Sequence, residues 1–151
     1  MIRPAQPDDQ AAVEAIVRAA YSVYSRRIGK PPGPMLDDYG ALIAQDSVSV
    51  VEEADGEIAA LIVLLPESDH LLLDNIAVRP DRQGRGLGRR LIDFAFAEAR
   101  RAGFDEVRLY THVTMTENIA LYERVGFEET GRRSEAGYDR VFMRKSLAGH
   151  S

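Results

Sequence analysis

The chain has 151 residues, 45% of them apolar and 28% charged, a formal net charge of −5 and no cysteine. That length fits one domain, 1–151, around one core, and the missing thiols exclude a disulfide framework, a cysteine nucleophile and a thiolate zinc site. The negative charge argues against nonspecific nucleic-acid binding and favours cationic or amine partners.

In chain order, Ile2 and Arg3 start a short strand and Pro7-Asp8-Asp9 reads as a helix entry. Val13, Ile16, Val17, Ala20, Tyr21, Tyr24 and Ile28 then mark one helical stripe. Gly29 to Pro34 breaks it, and Met35 to Gln45 is expected to resume as a shorter helix. Val48 to Glu53 and Glu57 to Leu65 read as strands joined across Asp55-Gly56, a hairpin signal that makes them antiparallel. Ala59 to Leu65, the longest apolar run, is too short to span a bilayer. No N-terminal stretch resembles a signal peptide, so a cytoplasmic protein without membrane or nucleic-acid partners is expected.

Leu71 to Val78 is a strongly apolar strand ending at Arg79-Pro80, where proline removes a ladder donor. After Gln83-Gly84-Arg85-Gly86-Leu87-Gly88, a helix is predicted from Leu91, Ile92, Ala95, Phe96, Ala99 and Ala102. Val107 to Val113 is the next strand, and the strand-helix-strand order requires a parallel, right-handed crossover. Thr114 and Glu117 have capping-box spacing before a helix carrying Asn118 and Tyr122, which Gly126 ends. Tyr138 to Ser146 is the last strand expected, giving a mixed α/β (α+β) chain with a mostly antiparallel sheet, one parallel pair and flanking helices. His70, His112 and His150 are scattered, so no metal site is predicted.

Three glycines where a helix begins point to a polyanion, because the first N–H groups of a helix lack intrahelical acceptors and carry the positive end of its dipole. A P-loop would end in Gly-Lys-Ser/Thr, and this one ends in Gly88-Arg89-Arg90. A dinucleotide fingerprint starting at Gly84 would place its third glycine at Arg89. The segment instead resembles the acyl-CoA loop of the GNAT superfamily of N-acyltransferases, Gln/Arg-x-x-Gly-x-Gly/Ala, through Gln83, Gly86 and Gly88. Ile76-Ala77-Val78-Arg79-Pro80 before it, and Asn118, Tyr122 and Gly126-Phe127 after it, extend the resemblance from about Leu71 to Phe127.

That resemblance implies a GNAT-like fold with a splayed parallel strand pair, acetyl-CoA as co-substrate, and transfer of its acetyl group to a primary amine by direct attack in a ternary complex. It implies that backbone groups of Ile76 and Val78 hold the pantetheine arm, that the amides of Gly84, Arg85, Gly86, Leu87, Gly88 and Arg89 take the pyrophosphate, that Asn118 bonds the arm, and that Tyr122 protonates the leaving thiolate. On spacing alone Tyr122 also fits a core tyrosine beside Leu121 and Val125. Asp74, a carboxylate in an apolar strand on the face of Leu72 and Ile76, is the first candidate for general base, with Glu67 and His112 as competitors. Asn75, on the opposite face, is expected to be a structural hydrogen-bonder. By the same resemblance Tyr21 to Tyr39 forms the acceptor wall, with Asp37 and Asp38 facing an ammonium group. A non-catalytic acyl-CoA sensor or interaction module on the same fold is the alternative, and both the acceptor and homodimer formation stay open.

Overall fold

The apolar stripe of the first helix becomes its buried face. In α1 (Gln10–Ile28) Val13, Ile16, Val17, Tyr21 and Tyr24 are buried, Ala20 and Ile28 are half-buried, and Gly29, at φ 88°, ends the helix in the left-handed conformation. The computed structural model describes residues 1–147, so His150 lies outside the described residues. Those residues form two compact units, one comprising Met1–Leu64 and Asp74–Ile92, the other Leu65–Leu73 and the chain from Asp93 onward.

In the first unit β1 (Ile2–Pro4), β2 (Val48–Glu52) and β3 (Ile58–Pro66) pair antiparallel in series, and β4 (Leu71–Val78) is next in strand order. Every side chain from Ile58 to Val63 is buried, as expected of a strand covered on both faces. The helix expected over Met35 to Gln45 is shorter than its sequence pattern. Gly33–Leu36 is a 3-10 turn, Asp37 and Asp38 are not helical, and α2 spans only Tyr39–Ala44. The Asp38 carboxylate accepts from the Ala41 amide at 3.1 Å, and this cap sets the start of α2.

In the second unit the first residues of β4 pair parallel with β5 (Glu106–His112), Leu71 opposite Val107 and Leu72 opposite Arg108. β7 (Tyr138–Ser146) runs antiparallel to β5, and β6 (Glu128–Glu135) antiparallel to β7. The predicted class therefore holds: seven strands, one parallel pair, and helices between them. α3 (Leu87–Arg101) buries Leu91, Ile92, Ala95, Phe96 and Ala99, while Ala102 lies beyond its end and is exposed. β6 was not expected, because its residues read polar on both faces and most are exposed. The capping box does not form either. α4 (Thr116–Arg124) has Met115 as N-cap, and the Thr114 hydroxyl is held 2.9 Å from His112 Nδ1 instead. Among the described residues no helix is long and apolar enough to cross a membrane.

Candidate active site

The Gln83–Arg89 segment is built by its neighbours on both sides. A 3-10 turn at Pro80–Arg82 follows β4, and its arginines tie it to the β2–β3 connection: Arg79 bonds Glu57 at 3.0 Å and Arg82 bonds Glu53 at 2.6 Å, with Asp81 between them. Such exposed pairs contribute little individually, yet as a network they fix where the loop departs. Gln83 donates from Nε2 to the Val78 carbonyl at 3.3 Å, closing the loop back onto the strand. Gly84 and Gly86 sit at φ 81° and 78°, which L side chains adopt only with strain. The Gly86 carbonyl accepts from the Arg90 amide at 3.0 Å, an intrahelical bond of the first turn of α3, so the amides just after Gly86 belong to the helix start, where the ladder supplies no acceptor.

Arg85, Arg89 and Arg90 are exposed around this start. Cations at the positive end of a helix oppose its dipole, and a bound anion would relieve that opposition. The donor set of backbone amides and guanidinium groups fits a pyrophosphate.

On β4 the alternation is as expected: Asp74, Ile76 and Val78 are half-buried on one face, and Asn75 and Ala77 are buried on the other. The Ile76 and Val78 carbonyls already receive the Tyr21 hydroxyl at 2.8 Å and Gln83 Nε2 at 3.3 Å. A carbonyl has two lone pairs, so these contacts leave capacity for a further donor.

Asp74 does not stand alone. Its carboxyl is hydrogen-bonded to that of Asp37, and Asp37 is pushed up to about 6 by removal from water and by the Asp74 charge. Asp37 as a residue remains exposed, so the desolvation is local to the carboxyl and the like-charged neighbour is the more specific cause. Tyr39 is held well above the usual phenol range, first by burial and then by the charges of Asp37 and Asp74. A cavity of about 390 Å³ opens here between α1 and the segment after it, lined by Glu14, Val17, Arg18, Pro31, Met35, Leu36, Asp37 and Tyr39. Of the segment expected to form the acceptor wall, Pro31, Met35, Leu36, Asp37 and Tyr39 line this cavity, and Tyr21, Tyr24, Arg26 and Arg27 do not. Asp38 is turned to capping α2, leaving Asp37 at the cavity, and Glu14 joins it from α1. No sequence pattern singled out Glu14, since an acidic residue on a helix reads as solvated.

In the second unit Tyr122 is buried, 7% exposed, with its ring edge-on to Phe127 at 5.6 Å between centroids. Its carbonyl accepts from the Phe127 amide at 3.0 Å, and Phe96 adds a ring 5.7 Å from Phe127. Asn118, half-buried, points Nδ2 at Met115 Sδ, 3.9 Å away. His112 accepts from the Thr114 amide at 3.2 Å and meets Tyr138 edge-on, so it is an ordinarily bonded histidine. Glu67 lines a separate cavity of about 520 Å³, floored by Leu72, Tyr110 and Phe142 and rimmed by Arg108, Arg133 and Arg144.

Comparison with known families matches residues 12–127 to the Acetyltransferase (GNAT) family. The chain is 37% identical over 75 residues to [Ribosomal protein bS18]-alanine N-acetyltransferase of Escherichia coli K12, a match covering 50% of this chain and 51% of that protein. It is 33% identical over 87 residues to N-acetyltransferase family 8 member 3 of Rattus norvegicus, covering 54% of this chain and 38% of the relative. The chain thus spans about half or less of the length of these curated relatives. Among solved structures, the PaiA N-acetyltransferase of Thermoplasma acidophilum in complex with coenzyme A superposes with a TM-score of 0.79 at 17% identity, covering 97% of this chain and 98% of that one. The ribosomal-protein-S18-alanine N-acetyltransferase of Escherichia coli gives 0.76 at 23% identity, covering 100% and 96%. At such identities the superpositions establish the fold. The family match spans most of the sequence, and the chain belongs to the GNAT acetyltransferase family.

Proposed function

We propose that this GNAT-family chain is an acetyl-CoA-dependent N-acetyltransferase that acetylates a primary amine, small or peptidyl, by direct attack within a ternary complex. The observation that carries this reading is the start of α3, where two left-handed glycines, the first-turn amides of a helix and three exposed arginines follow β4. A helix start of this kind is suited to an anion, and the diphosphate of acetyl-CoA matches it.

In this reading the Gly84 to Arg89 amides hold the pyrophosphate. The ladder between β4 and β5 is two residue pairs long, and the Asp74–Val78 stretch of β4 receives the pantetheine arm at Ile76 and Val78. A backbone N–H there, aimed at the thioester oxygen, stabilises the oxyanion of the tetrahedral intermediate. The amine nitrogen forms its bond to the carbonyl carbon, the carbon–sulfur bond breaks, and the sulfur leaves as thiolate. Tyr122 supplies the thiolate's proton, with Asn118 bonding the arm one helical turn earlier. Their support is the motif context, in which both residues follow the loop and the next strand in the family's order.

The acceptor arrives as an ammonium ion, of which about 0.04% is neutral at pH 7 for a pKa near 10.4. Glu14 and Asp37 outnumber Arg18 on the cavity wall and give it negative groups to meet that cation, while Val17, Pro31, Met35 and Leu36 accept an apolar substituent. Asp74 takes the proton, and the relatives' names put protein α-amino groups within the substrate range to be tried.

The test is an acetyl-CoA assay against small amines, polyamines, amino acids and peptide N-termini, run beside calorimetric titration in EDTA. Turnover with any member of the panel supports the enzyme. Tight acetyl-CoA binding without turnover replaces it with an acyl-CoA sensor, and failure to bind acetyl-CoA removes both.

A further inference from the structure

Asn75 is the buried polar side chain among the described residues, 2% exposed in the middle of β4. An amide so placed is costly unless both of its ends are bonded. Both are. Its Oδ1 lies 2.5 Å from the Tyr21 hydroxyl, and its Nδ2 donates to the Tyr39 hydroxyl at 2.8 Å. Each tyrosine carries the connection further: Tyr39 donates to the Pro34 carbonyl at 2.6 Å, and the Tyr21 hydroxyl, whose single proton is shared between two acceptors, also lies 2.8 Å from the Ile76 carbonyl.

The chain of contacts therefore runs from Pro34, beside the cavity-lining Met35 and Leu36, through Tyr39 and Asn75 to Tyr21 and the backbone of Ile76. Its two ends are the wall assigned to the amine and the strand residue assigned to the thioester arm. A packing role alone would be met by a leucine at position 75, as at Leu71 and Leu73 on the same face of β4. Burying an amide and two phenols adds stability only where the bonds are all made, but it fixes direction, which apolar contact does not.

We infer that Asn75 is a positioning residue for acetyl transfer, holding the acceptor-cavity wall through Tyr39 and the Ile76 backbone through Tyr21, so that the two substrates are presented in one register. This rests on the acetyltransferase reading above. Bimolecular transfer depends steeply on such alignment, and about 1 Å of misplacement lowers rates about 100-fold.

Three variants test it. Tyr39→Phe, which removes one hydroxyl and keeps the ring, should raise the acceptor KM about three- to tenfold while acetyl-CoA affinity stays at the wild-type value. Tyr21→Phe should act mainly on kcat. In a double-mutant cycle on kcat/KM the two should be coupled, the double variant losing clearly less than the product of the single losses. Asn75→Leu should reproduce the double variant, and hydrogen exchange at the 35–39 amides should accelerate in it and in Tyr39→Phe. Multiplicative losses, or a wild-type acceptor KM in Tyr39→Phe, overturn the inference and leave the activity standing. If the wild-type protein acetylates no amine, the activity reading fails, and hydrogen exchange still decides the clamp: unchanged exchange in Tyr39→Phe overturns it. Should Asn75→Leu not fold, the two phenylalanine variants carry the test.

Discussion

The stretch around Gly86 and the stretch around Tyr122 carry the two halves of the proposed chemistry, and packing explains one of them far better than the other. Tyr122 is buried with its ring edge-on to Phe127, and its helix ends at a left-handed Gly126. From Asp74 to Arg90, by contrast, the fold keeps features that oppose its own stability. Cations crowd the positive end of a helix, and one carboxyl is hydrogen-bonded to another. A site is easiest to recognise where local structure is unfavourable without a ligand. A catalytic group that also packs well leaves no such mark, and only experiment separates its two roles.

The largest expected effect falls on the well-packed side. Tyr122→Phe should lower kcat by about 10²- to 10⁴-fold, the usual worth of a general acid, with acetyl-CoA affinity and melting temperature near wild type. Wild-type turnover, measured where chemistry is rate-limiting, would make α4 a packing element and sharpen the contrast further.

Next comes the loop. Gly86→Val should weaken acetyl-CoA binding by about tenfold or more, because a branched residue at φ 78° forfeits roughly 1–2 kcal/mol in the left-handed region and relaxes by moving the amides. No protein atom lies within 4 Å of where a Cβ would stand, so within the protein itself the strain is conformational. Calorimetry in EDTA checks it, and unchanged affinity in a folded variant would refute the pyrophosphate assignment.

The carboxyl pair predicts a pH dependence. With Asp37 at about 6, the pair acquires its second charge as pH rises through 6, and kcat should show an acidic limb there. Asp74→Asn removes the proposed base and the like charge beside Asp37. It should depress and flatten that limb and return Asp37 toward the ordinary carboxylate range, a shift readable by NMR. A profile unchanged in shape and height eliminates Asp74 and moves the same test to Glu67 and His112.

The smallest effect is on stability. A carboxyl raised in the folded state from 3.8 to about 6 binds more protons folded than unfolded between those values, so stability falls as pH rises through that window. Relative to Asp74→Asn, the wild-type protein should therefore lose melting temperature between pH 4 and pH 6. Parallel curves would show that the two carboxyls do not interact in solution.

Much of this was legible in the sequence because its causes are local. Proline after a strand, glycine at a helix start, and apolar side chains at period two or 3.6 determine β4, the loop and α3 whatever surrounds them, and β7 was bounded correctly by its alternation. β6 was not legible, since an exposed polar strand is specified by the partner it pairs with. The capping box at Thr114 gave way to a competing bond from His112, and the helix after Pro34 was shortened by the Asp38 cap. The site divides in the same way. The sequence by itself determined the glycine-rich loop proposed to bind the anion and the strand before it, because backbone conformation is set by neighbouring residues. Only the tertiary structure decided that Asp37 meets Asp74, that Glu14 lines a cavity with Asp37, and that Asn75 joins Tyr21 to Tyr39. Those contacts bring together residues far apart in the chain, and their proton affinities and bond directions come from burial and proximity, which no local pattern encodes.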